Sequence, residues 1–298
     1  MHKCFFLIVA LLALVCAVAS KQDDSLTSAN QEWLHIDDGV IWVYSSFWEL
    51  RVREGAEFGV EAMGQGPYMR VLMIGPFNDH FPQVLKQSTC EYYYEEFASK
   101  SVTTNVVGVY VPRVDDIYSE NLSRPYIVYC AAPPGLSDRV PKAMAFVLQD
   151  SHKRSWAKDM SGSTRKWLVP IKGDPSLMHP PFTPERRIMA CIKPIHGGPF
   201  TDIAGLINFL VVNHALGMQH FVIYDAGDGS PQLYRALNVA RKAGVSIEVR
   251  TWNLREHHGW MLTQTIHGEA CMHDAMMLGY ENVITVRPYL CVLLFYSI

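Results

Sequence analysis

A chain of 298 residues, 49% hydrophobic and 18% charged, has both the length and the apolar content to bury a sizeable core, which excludes intrinsic disorder as its ground state. A formal net charge of −3 leaves no excess of basic residues for nucleic acid, and no basic stripe with interleaved aromatics is visible. The length admits one large domain or two modest ones.

In chain order, Lys3 precedes an apolar run from Cys4 to Ala19, and Ala17-Val18-Ala19 offers an Ala-x-Ala cleavage site. Residues 1–20 therefore read as a signal peptide or a signal anchor. The run is shorter than the roughly 20 apolar residues of a membrane span, which favours cleavage. Residues 21–39 are polar and read as a stem. Beyond the leader stand Cys90, Cys130, Cys191, Cys271 and Cys291, and an odd number cannot all pair within one chain. Cys90 and Cys130 flank strand-like runs in the same half and are the expected disulfide in an oxidising compartment. Asn121-Leu122-Ser123 is the N-glycosylation acceptor that lumenal passage would use.

From Val40 the pattern becomes short runs rich in β-formers: Ile41–Tyr44, Met69–Ile74, Tyr92–Tyr94, Val106–Val111, Tyr126–Tyr129 and Met144–Leu148. Gly, Pro and Asp clusters punctuate them, so residues 40–150 predict an antiparallel, sandwich-like β module. Its many aromatics, Trp42, Tyr44 and Trp48 among them, read as core and cross-strand pairs rather than a sugar-stacking platform. Residues 151–185, rich in Lys, Arg, Ser and Pro, read as a linker with one strand at Trp167-Leu168-Val169.

Residues 186–298 alternate strand and helix. Arg187–Ile192 is strand-like. Thr201 is the expected N-cap of a helix carrying Ile203, Leu206, Ile207, Leu210, Val211 and His214, which stops at Gly217. Phe221–Tyr224 is a second strand, ending in the turn-rich Asp225-Ala226-Gly227-Asp228-Gly229-Ser230. A second helix, with Leu233, Leu237, Val239 and Ala240 inward, closes at Gly244. Val245–Trp252 alternates as a third strand, a helix follows from about Trp260 to Leu278, and Tyr280–Val286 is a fourth strand. Strands joined by crossover helices predict a parallel, Rossmann-like sheet, with ligands at the carboxyl ends of its strands, where Asp225 and Asp228 fall.

This stretch resembles glycosyltransferase family 92. The likeness rests on Cys191-x-Lys193-Pro194, Leu216-Gly217-x-x-His220-Phe221, Tyr224-Asp225, Gly244-Val245, Trp252, and a helix with Gln264 and Cys271-x-His273-Asp274. It covers roughly residues 186–286, with a weaker echo at Val43–Ser46 and Tyr126–Cys130. The resemblance implies a GT-A architecture and transfer of a hexose, galactose from UDP-galactose, onto a glycan acceptor with inversion and Mn2+. It also implies a type II Golgi enzyme held in the membrane by an uncleaved N-terminal segment. A cleaved leader instead gives a secreted protein.

Transfer from a nucleotide sugar needs the diphosphate held, usually through clustered carboxylates and a cation, and a carboxylate base for the acceptor hydroxyl. The family places Asp-x-Asp after the fourth strand, whereas Arg287 stands there in this chain. Arginine offers no lone pair to a metal. The expectation is a partial domain over 186–298, truncated before Asp-x-Asp, with no metal bound tightly and its catalytic residues beyond Ile298. Asp225, Lys193 and Asp228 remain as nucleotide-sugar contacts, with Lys193 or the Gly197-Gly198 turn against the pyrophosphate. For Asp228 the turn-forming role is the stronger of the two. The alternative is a non-catalytic lumenal or secreted binding protein. His267 and Cys271 share a helix face, but no second ligand pair at a recognised spacing supports zinc.

Overall fold

The computed structural model describes residues 34–36, 41–49, 67–94, 101–112, 123–148, 165–169, 171–172, 188–195, 200–252, 260–286 and 294–297. The leader, Asn121, Gly197-Gly198, His257-His258, Arg287 and Cys291 lie outside them. The chain divides into two compact units, Trp33–Pro180 with Glu256–Leu278, and Pro181–Arg255 with Gly279–Ile298.

The first unit contains β1 (Leu34–Ile36), β2 (Ile41–Glu49), β3 (Tyr68–Pro76), α1 (Phe81–Lys86), β4 (Thr89–Tyr93), β5 (Val102–Tyr110), β6 (Ser123–Ala131), β7 (Ala143–Leu148), β8 (Arg165–Val169) and β9 (Ile171–Lys172). Its sheet runs β1-β2-β3-β6-β5-β4-β7-β8, and β9 returns to pair with β2. The path that leaves β2 thus comes back to it, forming a nearly closed, barrel-like sheet. The ladders along this path are antiparallel, and the short β2–β9 pairing is parallel. The strands supply β-formers at alternate positions, so Met69, Val71 and Met73 of β3 join Val43, Trp48, Tyr126, Val128, Met144 and Phe146 in one core. Asn78 Oδ1 accepts from the Phe81 amide at 2.7 Å and opens α1, which drives Phe81 into that core edge-on to Tyr126. Cys90 on β4 and Cys130 on β6 form a disulfide, with Cα atoms 6.2 Å apart.

The second unit holds β10 (Ile188–Ile195), α2 (Ile203–Ala215), β11 (His220–Asp225), α3 (Pro231–Lys242), β12 (Ile247–Thr251), β13 (Asn282–Val286) and β14 (Leu294–Ser297). Its sheet is five-stranded, in the order β12-β11-β10-β13-β14. The first four strands are parallel and β14 is antiparallel. Leu206, Ile207 and Leu210 of α2 and Leu233, Leu237 and Ala240 of α3 pack with Ala190, Ile192, Phe221, Ile223 and Ile284 in its core. Val239, expected inward, is only half-buried. Asp202, not Thr201, caps α2, its carboxylate accepting from Gly205 N at 3.0 Å. Gly217 and Gly244 end the two helices at φ of 106° and 98°, a region only glycine enters freely.

Among the described residues one more helix, α4 (Trp260–Met277), lies between β12 and β13 in sequence. It groups with the barrel-like unit, where it packs on β3 and β6.

Two expectations are corrected. The Rossmann-like, GT-A-like α/β domain over 186–298 is not what forms. The larger unit is a mostly antiparallel, nearly closed sheet, the parallel sheet is small, and residues 256–278 belong with the former. The β module is barrel-like rather than a sandwich, because β8 and β9, within the expected linker, pair with β7 and β2. Beyond β13 the sheet continues, Thr285 pairing with Leu294 through Asn282 with Ser297. Cys271 is disulfide-bonded, as is Cys191, so Cys271 has no thiolate to offer zinc. These disulfides are compatible with a secreted or lumenal protein. Among the described residues no helix is long and apolar enough to cross a membrane.

Cys90 and Cys130 are separated by 40 residues. By the chain-entropy relation, replacing both with alanine lowers unfolding free energy by about 4 kcal/mol, measured by denaturant titration under non-reducing conditions.

Candidate functional site at the strand edge

In a parallel sheet the carboxyl ends of the strands are where loops converge and ligands are held. Here Ile195 of β10, Asp225 of β11 and Thr251 of β12 are in register, so three strands end together. The loops are tied at once: Ala226 N donates to Ile195 O at 3.0 Å, Trp252 N to Asp225 O at 2.6 Å, and Phe200 N to Asp228 O at 3.1 Å. One edge thereby gathers Lys193, Asp225, Asp228 and Trp252.

Asp225 is buried, and its carboxylate is engaged by its own loop and by the first turn of α3. Oδ1 accepts from the amides of Gly227, Asp228 and Gly229 at 2.9, 3.0 and 3.0 Å. Oδ2 accepts from the Tyr234 hydroxyl, which stands in the first turn of α3. Burial, and then the Asp225 carboxylate beside it, push the Tyr234 phenol well above its usual range, so it donates and stays neutral. Gly227 takes φ of 97°, which lets three successive amides turn toward one oxygen. Ser230 then caps α3, accepting from Leu233 N at 3.1 Å, and Pro231 enters the first turn. Asp225 is thus an Asx-type organiser of the loop that carries Asp228. Asp228 is half-buried, and both its amide and its carbonyl serve the loop. Lys193 sits half-buried on β10, two residues before the strand ends.

Beside the edge, the face of the sheet opposite the α2–α3 core carries a second arrangement that sequence reading missed. Tyr224 and Trp252 meet edge-to-face at 5.3 Å, and the Arg250 guanidinium lies 5.9 Å from the Tyr224 ring centre. Arg250 pairs bidentately with Glu248, Nε to Oε1 at 2.8 Å and Nη2 to Oε2 at 3.0 Å. His220 Nε2 lies 3.6 Å from Glu248 Oε2, with its Nδ1 2.7 Å from Ser246 Oγ and its ring stacked on Tyr280. Burial raises the Glu248 pKa, but hydrogen bonds from His220 and Arg250 and the Arg250 charge outweigh it and hold the carboxyl at about 2. The available signal was the alternation Ile247-Glu248-Val249-Arg250, which puts both charges on one face. Tyr234 carried no such signal, since a tyrosine one turn into a helix is ordinary.

Among the described residues no group of three or more His, Cys, Asp or Glu is placed to hold a metal ion. No protein-family model matches the sequence, and no curated protein matches it.

A Cβ on Gly229 would sit 2.5 Å from both Asp225 Oδ2 and the Tyr234 hydroxyl oxygen. Asp225→Ala strands three amides and a half-buried hydroxyl, and should cost about 2–3 kcal/mol in thermal or denaturant unfolding. Gly229→Ala should cost about 1–3 kcal/mol, and the two should combine sub-additively because they disrupt one contact set.

Proposed function

We propose that this chain binds a nucleoside-diphosphate sugar, UDP-galactose by resemblance, at the carboxyl edge of the five-stranded sheet, as a lumenal relative of the family 92 glycosyltransferases. One observation carries the reading. The pieces of the sequence signature, Cys191-x-Lys193-Pro194, Tyr224-Asp225 and Trp252, fall at or beside the ends of three neighbouring strands in register. In this reading Lys193 supplies positive charge to the diphosphate and Asp228 meets the ribose or base. Asp225 acts one step back, shaping the loop that presents Asp228, because three amides and a phenol already engage its carboxylate. Transfer to a glycan acceptor with inversion, in the Golgi lumen, is the activity this reading entails.

The Mn2+ that the resemblance implies does not fit this edge. A hard cation needs several carboxylate oxygens with lone pairs to spare, and the Asp225 carboxylate already accepts from three amides and a phenol. No step is therefore routed through a metal, and no described residue is assigned as the base. The same engagement of Asp225 favours a second reading, a non-catalytic binder that retains the donor site.

Isothermal titration of the full chain with UDP, UDP-galactose and uridine, each with and without EDTA, tests the proposal. UDP and UDP-galactose should bind with Kd between about 1 μM and 1 mM, the range of typical enzyme KM values, and uridine more weakly. Lys193→Ala should weaken UDP at least about tenfold, or 1.4 kcal/mol, with little effect on uridine. Absence of UDP binding, or variants Lys193→Ala and Asp228→Asn that bind as wild type, overturns the site. Binding without turnover of UDP-galactose identifies the non-catalytic reading.

A further inference from the structure

Arg70 stands in the middle of an apolar strand, on the face of β3 opposite the barrel core, and is wholly buried. Across the ladders it is level with Phe47 of β2 and Tyr129 of β6. Three side chains meet its two terminal nitrogens. Nη1 donates to Glu269 Oε2 at 2.7 Å and to His273 Nε2 at 2.7 Å, and Nη2 donates to the Tyr129 hydroxyl at 3.0 Å. Glu269 and His273 are one turn apart on α4, so they face the same way. The His273 ring is buried and stacked on Phe47, with centroids 4.4 Å apart and planes 16° from parallel.

The protonation state follows from the donor inventory. A guanidinium has no lone pair, so His273 Nε2 must be the acceptor, and the proton of the neutral ring sits on Nδ1. Protonating Nε2 would point one N–H at another and place a second buried cation against Arg70. Arg70 from β3 and the Phe47 ring from β2 meet His273, and Glu269 lies one turn back on the same helix. Glu269 already pairs with Arg70, so a proton on Nε2 sets a second cation directly against the first.

We propose that His273 is the acid-sensitive latch of α4: the helix stays docked on the barrel-like sheet while His273 is neutral and is released as it protonates. A docked state that refuses a proton loses ground to any state that accepts it. Stability from this group is therefore complete above the ordinary histidine pKa of about 6.5 and declines as pH falls below it. With the docked ring held neutral, the undocked population should rise about 30-fold between pH 7.5 and pH 5.0.

Hydrogen exchange of the full chain, expressed as protection factors for residues 266–277 between pH 7.5 and 5.0, tests the latch. Protection in α4 should fall about 30-fold while that in β3 and β6 holds. His273→Gln, which keeps an acceptor for Arg70 but does not titrate, should flatten the profile. Should that variant fail to fold, the imidazole resonances of wild type decide. A His273 ring still neutral at pH 6 supports the latch, and a ring protonated there with α4 still protected overturns it. So does a wild-type profile without pH dependence.

Discussion

A guanidinium removed from water must be solvated by the protein, and Arg70 obtains that solvation from α4. The cost of burying an ion remains several kcal/mol even after relaxation, and only close, well-directed partners offset it. The barrel-like sheet supplies the Tyr129 hydroxyl and a ring face to lie near. Glu269 and His273 come from α4. Phe47, Tyr129 and Leu72 are buried on the same outer face, so the sheet is apolar on both sides there. A strand face of that kind has to be covered, and a buried charge at its centre specifies by what. The charge therefore selects the helix as well as stabilising it.

This preference explains why the chain does not build one continuous α/β domain. After β12 it enters a helix that groups with the barrel-like unit, and only then returns to β13. The unit holding the five-stranded sheet contains α2 and α3, with β14 added antiparallel on the far side of β13. What survives of the parallel arrangement is its strand edge. There one carboxylate, Asp225, gathers three amides and a phenol and so sets the shape of the loop beside Lys193 and Trp252. The same geometry that makes the loop firm leaves the Asp225 carboxylate with fewer lone pairs for a ligand or a cation. Any donor site at this edge must use the loop's remaining surface.

Local features were legible in the sequence and long-range ones were not. Apolar spacing located β10, α2, β11, α3, β12, α4 and β13, and the glycines at 217 and 244 marked helix ends because only glycine tolerates their backbone. The pairing of Cys90 with Cys130 followed from their flanking strands. The partner of α4 did not follow, since its apolar residues are spread around the helix and periodicity singles out no face. The clue was Arg70 within Met69–Ile74, a charge in an apolar run that demands a distant partner without naming it. Barrel closure through β8 and β9 is a matter of register between segments far apart in sequence, which composition cannot encode. Asp225 shows a different limit. Asp-x-Gly-Asp-Gly reads equally as a turn and as a ligand loop, and only the direction of three amides decides.

The claim that Arg70 fastens α4 to the barrel-like sheet is tested most directly by a double-mutant cycle on Arg70→Met and Glu269→Gln, followed by equilibrium unfolding. The coupling energy should be about 2 kcal/mol or more, as for a charge pair with one partner fully buried. A coupling within about 0.5 kcal/mol of zero, the additivity expected of independent sites, would contradict it.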